Sequence, residues 1–155
     1  MTSRVQLALR VPDLAASIAF YTKLFGTEPA KLRDGYANFA IDKPPLKLVL
    51  IEGTAGEATR MDHLGVEVET TEAVHTATAR LAEAGLATVE ENDTTCCYAL
   101  QDKVWVHGPG QEPWEVYVVK ADADSLAKQQ GSTCCTGPAD AAVDATEPSA
   151  AGGCC

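Results

Sequence analysis

At 155 residues with 46% hydrophobic side chains, the chain can form one domain with a substantial core, or two small modules that share one. A formal charge of −10, from 22 Asp and Glu against 12 Lys and Arg, excludes non-specific nucleic-acid binding, which depends on Lys and Arg meeting phosphates. The first dozen residues carry neither a long apolar run nor a cleavage-type site, so the expectation is a cytoplasmic protein with no signal peptide and no membrane span.

Residues 5–11 alternate, with Val5, Leu7, Leu9 and Val11 on one side and Gln6, Ala8 and Arg10 on the other, the pattern of a half-buried strand. Pro12-Asp13 stops it, and Asp13 can cap a helix whose apolar positions are Leu14, Ile18, Tyr21 and Phe25, ended by Gly26. Three short strands are predicted at 28–33, 36–41 and 46–51, separated by Asp34-Gly35 and Pro44-Pro45. After a polar linker at 53–59 the pattern restarts. A strand over 63–68 and a helix opened by Thr70-Thr71 and closed by Gly85 are followed by strands at 87–91, 98–106 and 114–119, the last two joined by His107-Gly108-Pro109-Gly110. Each half reads strand, helix, three strands: an internal duplication of a βαβββ unit of roughly 60 residues. The expected fold is therefore α+β. Two such modules, about 4–53 and 60–120, place curved mixed sheets around a cleft with the helices outside, because neither half buries enough surface alone. Residues 121–155, rich in Ala, Asp, Gly, Ser, Thr and Pro, read as a disordered tail.

The six cysteines form three adjacent pairs, Cys96-Cys97, Cys134-Cys135 and Cys154-Cys155, which is not the pattern of a secreted disulfide framework. Neighbouring thiols suit a soft, thiophilic ligand. Successive residues of a flat strand point to opposite faces, so for Cys96 and Cys97 to grip one atom the chain there must turn. The plainer reading is a strand-end pair with one thiol buried.

Strand parity supplies a second constellation. The apolar faces must pack on the helices, leaving Gln6 and His63 to begin the cleft faces of equivalent strands, while Glu115 and Tyr117 share one side of the last strand. An amide oxygen, an imidazole and a carboxylate can hold a divalent metal. The plainer readings are a hydrogen-bonded strand histidine and solvated edge residues. His75 and His107 read as surface residues.

With the duplicated modules, Gln6, His63, Glu115 and the turn Gly108-Pro109-Gly110-Gln111-Glu112-Pro113-Trp114-Glu115 in view, residues 4–120 resemble the vicinal oxygen chelate superfamily of glyoxalase I, extradiol dioxygenases and bleomycin-resistance proteins. Within it, Asp93-Thr94-Thr95-Cys96-Cys97-Tyr98-Ala99 followed by Gln101-Asp102-Lys103-Val104-Trp105 is similar to the signature of Fe(II)-dependent organoarsenical C–As lyases and the related cadmium-induced proteins. The resemblance implies Fe(II) held by Gln6, His63 and Glu115, with Gln6 standing where several relatives have His. It also implies arsenic(III) held by Cys96 and Cys97, and O2-dependent cleavage of methylarsenite or aromatic arsenicals to arsenite. A residue range of about 90–97 is expected to be a loop that closes over substrate. Tyr98 and Lys103 are further candidates near the site, against plainer readings as a packing tyrosine and a solvated lysine. Cys134, Cys135, Cys154 and Cys155 would be auxiliary thiols. The rival expectation is a non-catalytic arsenic- or cadmium-binding resistance protein; a Zn(II) or Ni(II) isomerase lacks a carboxylate on the 46–51 strand. A homodimer is expected by analogy with the superfamily.

Overall fold

A computed structural model of the protein describes residues 3–124; Cys134, Cys135, Cys154 and Cys155 lie outside them. The elements run β1 (Arg4–Val11), α1 (Leu14–Phe25), β2 (Lys31–Arg33), β3 (Tyr36–Ile41), β4 (Leu46–Glu52), β5 (Arg60–Glu67), α2 (Thr71–Glu83), β6 (Val89–Cys96), β7 (Ala99–His107) and β8 (Pro113–Asp122). The eight strands form one sheet in the order β2-β3-β4-β1-β5-β8-β7-β6. The predicted duplication is visible in that order: each module pairs its first and last strands in parallel, β1 with β4 and β5 with β8, and the modules meet antiparallel along β1 and β5. Among the described residues, no helix is long and apolar enough to cross a membrane.

The helix ends are set by the residues that the sequence marks out. Asp13 accepts from the Ala16 N–H at 2.9 Å and Thr70 from the Ala73 N–H at 3.1 Å, each satisfying an orphan donor of the first turn. Gly85, at φ 81°, closes α2 with the paired bonds Gly85 N to Ala82 O and Leu86 N to Leu81 O, a geometry that a side chain with Cβ resists.

Alternation then sorts the side chains. Leu7, Leu9 and Val11 join Phe39, Leu48 and Leu50 beneath α1, and Val104, Val116 and Val118 pack with Val74 and Leu81 of α2. The opposite, concave face carries Gln6 and Ala8 of β1, Lys47, Val49 and Ile51 of β4, His63 of β5, Glu115 and Tyr117 of β8, and Lys103 and Trp105 of β7, as the strand registers require. The two ends of the sheet approach each other: the Lys31 ammonium of β2 donates to the Tyr98 carbonyl at 3.1 Å and pairs with Asp122 at 2.6 Å.

Two local expectations are corrected. Residues 90–96 belong to an edge strand, β6, and not to a loop, with Cys97 in the turn that follows; the predicted strand 87–91 overlaps its start. The unpaired stretch within β6 is confined to an irregularity between Glu91 and Thr94, with Asp93 at φ 51°. The strand predicted over 28–33 shortens to Lys31–Arg33, since Pro29 cannot donate to a ladder.

Candidate metal and thiol site

Gln6, His63 and Glu115 meet on the concave face although they are far apart in the chain. Register explains it: Gln6 pairs with Gly65 in β5, Gly65 with Glu115 in β8, and Ala8 with His63. The Gln6 Nε2 lies 3.0 Å from His63 Nε2 and donates to Glu115 Oε1 at 2.9 Å, while His63 Nε2 and Glu115 Oε1 are 3.3 Å apart. All three side chains are buried, so the readings as solvated edge residues are set aside.

Gly65 makes the convergence possible. A Cβ added there would lie 3.0 Å from Glu115 Cγ and 3.3 Å from a Tyr117 ring carbon, closer than side chains normally approach. The glycine leaves a hollow between amide and carboxylate.

The three donors suit a divalent ion. Two donors about 2.1 Å from one ion and a right angle apart sit about 3.0 Å from each other, close to the separations seen. No three His, Cys, Asp or Glu side chains converge among the described residues, so a three-donor site on this face would draw on the Gln6 amide. Gln6 turns Nε2 toward the other two groups and receives the Tyr117 hydroxyl at Oε1. A half-turn of the amide exchanges these roles: Oε1 faces the ion and Nε2–H donates to the Tyr117 oxygen.

A line of charges holds the ligands in place. Arg10 binds Asp62 at 2.7 Å, Asp62 binds His63 Nδ1 at 2.7 Å, and Lys103 binds Glu115 Oε2 at 2.7 Å. Burial by itself would depress His63, but hydrogen bonds and charge from Asp62 and Glu115 outweigh it and raise the imidazole to about 9. Burial would raise Glu115; the Lys103 charge and His63 win and hold it well below the ordinary carboxylate range. Burial pushes the Tyr117 hydroxyl well above its usual value, so it stays a neutral partner for the amide.

Lys103 is therefore not the solvated lysine of the plainer reading. It is buried, against Glu115 and over the Trp105 ring at 5.3 Å. Sequence reasoning missed Tyr117, Asp62, Gly65 and Trp105, whose ring stands 5.6 Å from His63. The sharing of one strand side by Glu115 and Tyr117 was the available signal for the first of these. Tyr98 is half-buried and bridges the sheet ends, edge-on to Tyr36 at 5.2 Å with its hydroxyl donating to the Asp34 carbonyl at 3.2 Å.

Cys96 ends β6 and Cys97 begins a two-residue turn into β7. Cys97 and Tyr98 have φ of 56° and 58°, the left-handed pair of a type I′ hairpin that usually takes Asn-Gly. The turn expected from the sequence is thus present, and it defeats strand alternation: both cysteines are buried against Ala8, Tyr36, Val49 and Ile51, with their sulfurs 3.5 Å apart. An S–S bond is about 2.05 Å, so the two are not bonded to each other. Ala8 shares this buried cluster with the cysteines and is the register partner of His63, which puts the thiols and the candidate metal donors on one face. His75 and His107 are exposed, as expected. A surface groove of about 730 Å³ beside α1, lined by Asp13, Arg33, Asp34 and Glu52 among others, holds none of the predicted site residues.

The Glyoxalase/Bleomycin resistance protein/Dioxygenase superfamily profile matches residues 4–116. The chain is 73% identical over 147 residues to a trivalent organoarsenical cleaving enzyme of Thermomonospora curvata, covering 92% of this chain and 97% of that one. It is 56% identical over 146 residues to the cadmium-induced protein CadI of Mycobacterium bovis, covering 87% and 94%. Among solved structures it is similar to the Mn(II)-bound glyoxalase of Novosphingobium aromaticivorans, with TM-score 0.56, 23% identity, and 81% of this chain and 43% of that one covered. A homoprotocatechuate 2,3-dioxygenase from Brevibacterium fuscum gives TM-score 0.56 and 23% identity, with 81% and 34% covered; at such identities the likeness shows the fold. The chain belongs to the glyoxalase, bleomycin-resistance protein and dioxygenase superfamily, in the branch that holds trivalent organoarsenical cleaving enzymes and cadmium-induced proteins.

Proposed function

We propose that the protein cleaves the carbon–arsenic bond of trivalent organoarsenicals, with Fe(II) held by Gln6, His63 and Glu115 and with dioxygen as the oxidant. The observation that carries the reading is the shared face: Ala8 lies in one buried cluster with Cys96 and Cys97 and is cross-strand neighbour to His63. The relative named a trivalent organoarsenical cleaving enzyme supports the same chemistry.

As the reduced pair, Cys96 and Cys97 bind the arsenic. Two thiolates about 2.3 Å from one soft centre sit roughly 3.5–3.8 Å apart, and the sulfurs already stand 3.5 Å apart. The left-handed turn holds that separation before substrate arrives, so less ordering is left to pay for on binding. Arsenic held at Ala8 directs its organic substituent along the face toward Gln6. Iron, when bound, supplies the redox chemistry by which dioxygen reacts with the substrate. Tyr117 orients the Gln6 amide, Asp62 fixes the His63 tautomer, and Lys103 keeps Glu115 ionised. For methylarsenite and one dioxygen, atoms balance as arsenite plus formaldehyde. A thiol pair that must be reduced to bind arsenic suits the reducing cytoplasm.

The test is aerobic and anaerobic incubation of Fe(II)-loaded protein with methylarsenite. Arsenite release matched one-to-one by oxygen uptake is expected in air, and none without it. Release that persists without oxygen overturns the oxidative reading, whereas tight binding without turnover in air favours a sequestering protein. Cys96→Ser is expected to abolish arsenical binding and leave Fe(II) affinity within about threefold, since sulfur and metal ligands are separate groups.

A further inference from the structure

Other buried and half-buried cations on or beside the concave face have carboxylate partners: Arg4 holds Glu67, Arg10 holds Asp62 and Lys103 holds Glu115, each at 2.7 Å. Lys47 breaks the pattern. It leaves β4 on this face as the register partner of Gln6, only 8% exposed, with its ammonium 5.2 Å above the Tyr117 ring. Among the described residues that ammonium makes neither an ion pair nor a hydrogen bond. Burial pushes its pKa below the ordinary lysine range. An apolar residue of similar length would suit stability better, because a buried charge without a partner is costly. Among the described residues two more buried polar atoms of this face, Trp105 Nε1 and Gln101 Oε1, also lack a hydrogen-bond partner, so its polar groups are arranged for something beyond the fold.

Position says what. Val49 and Ile51 belong to the same buried cluster as Cys96 and Cys97, and Lys47 lies two residues before Val49 on the same strand face, a rise of roughly 6.6 Å. That is the reach of one benzene ring carrying a substituent on its far carbon. Val49 pairs with Ala8 and Lys47 with Gln6, so the line from sulfurs to ammonium runs beside the His63 and Gln6 positions. We propose that Lys47 is a specificity residue that pairs with an anionic oxygen, carboxylate or phenolate, on the ring of an aromatic trivalent arsenical held by Cys96 and Cys97. This rests on the arsenical reading above. The same strand position that offers no carboxylate to a metal offers a cation to the substrate.

The test is equilibrium binding to reduced, metal-free protein, followed by the fluorescence of Trp105 and Trp114, of three trivalent probes: 4-carboxyphenylarsenous, phenylarsenous and methylarsenous acids. The wild type is expected to bind the carboxyphenyl compound about tenfold to a hundredfold more tightly than the phenyl one, the strength of a charge-assisted hydrogen bond. Lys47→Met removes that preference, leaves the other two affinities nearly unchanged and raises the unfolding temperature; Lys47→Arg keeps the preference. Equal wild-type affinity for the carboxyphenyl and phenyl compounds, or a preference that survives in Lys47→Met, overturns the Lys47 assignment and leaves the arsenical reading standing. Failure to bind any of the three overturns both.

Discussion

Gly65 does more for the site than several residues with side chains. Its missing Cβ is the space in which the Glu115 carboxylate reaches Gln6, and nothing in a β-strand propensity argument calls for glycine there. Gly65→Ala is expected to weaken divalent-metal affinity at least about tenfold by displacing Glu115, and to cost about 1–3 kcal/mol of stability through overpacking. Metal titration and denaturant unfolding of the same samples separate the two effects. Tyr117→Phe tests the orientation of the amide. Without the hydroxyl the Gln6 side chain loses its fixed partner, and metal affinity is expected to fall about tenfold to a hundredfold with the fold intact by circular dichroism. His63, Gln6 and Glu115 were legible as candidates from strand parity, and Lys103 was legible only as a name near a motif. Its burial beside Glu115 depends on the register of β7 against β8, which no local pattern contains.

At the scale of elements, the β6–β7 hairpin joins chemistry to conformation. A strand would send Cys96 and Cys97 to opposite faces, and the left-handed turn at Cys97 and Tyr98 brings the sulfurs together. Two non-glycine residues at positive φ carry strain, which persists where the surroundings hold it. Tyr98 is held by Lys31, Asp34 and Tyr36. Further along the hairpin, Asp102 ties three elements: it accepts from Thr71 at the start of α2 at 2.7 Å, from the Asp93 N–H at the β6 irregularity at 2.8 Å, and from Lys120 of β8. Burial would raise its carboxyl, but the Asp93, Thr71 and Lys120 contacts prevail and lower it. A depressed carboxylate adds stability above its unfolded value, near 3.8, and that stability is lost as pH falls through the lower folded value. Asp102→Asn is therefore expected to cost about 1–3 kcal/mol at pH 7 and to differ less from wild type as pH drops below 4, read from urea unfolding at both pH values.

Across the whole molecule, the proposed metal ligands are divided between the modules: Gln6 comes from the first, His63 and Glu115 from the second. An ion bound only by the folded arrangement staples the β1–β5 seam. Divalent metal at a hundredfold excess over its dissociation constant is expected to add about 2.7 kcal/mol to unfolding stability, and His63→Ala is expected to show no such gain. An equal gain in the variant would mean that the ion binds elsewhere.

Periodicity, capping residues and the repeated βαβββ pattern were enough to determine the elements and the duplication, because these rest on neighbours in the chain. Adjacent cysteines pointed to a candidate soft-ligand site for the same reason. What only the tertiary structure decided is which polar residues of eight strands share a face and at what height. Gln6 meets Gly65 and Glu115, Ala8 joins the cysteine cluster and pairs with His63, and Lys47 stands beside them with no ion pair among the described residues, because register between distant strands is set by the packing of the whole sheet.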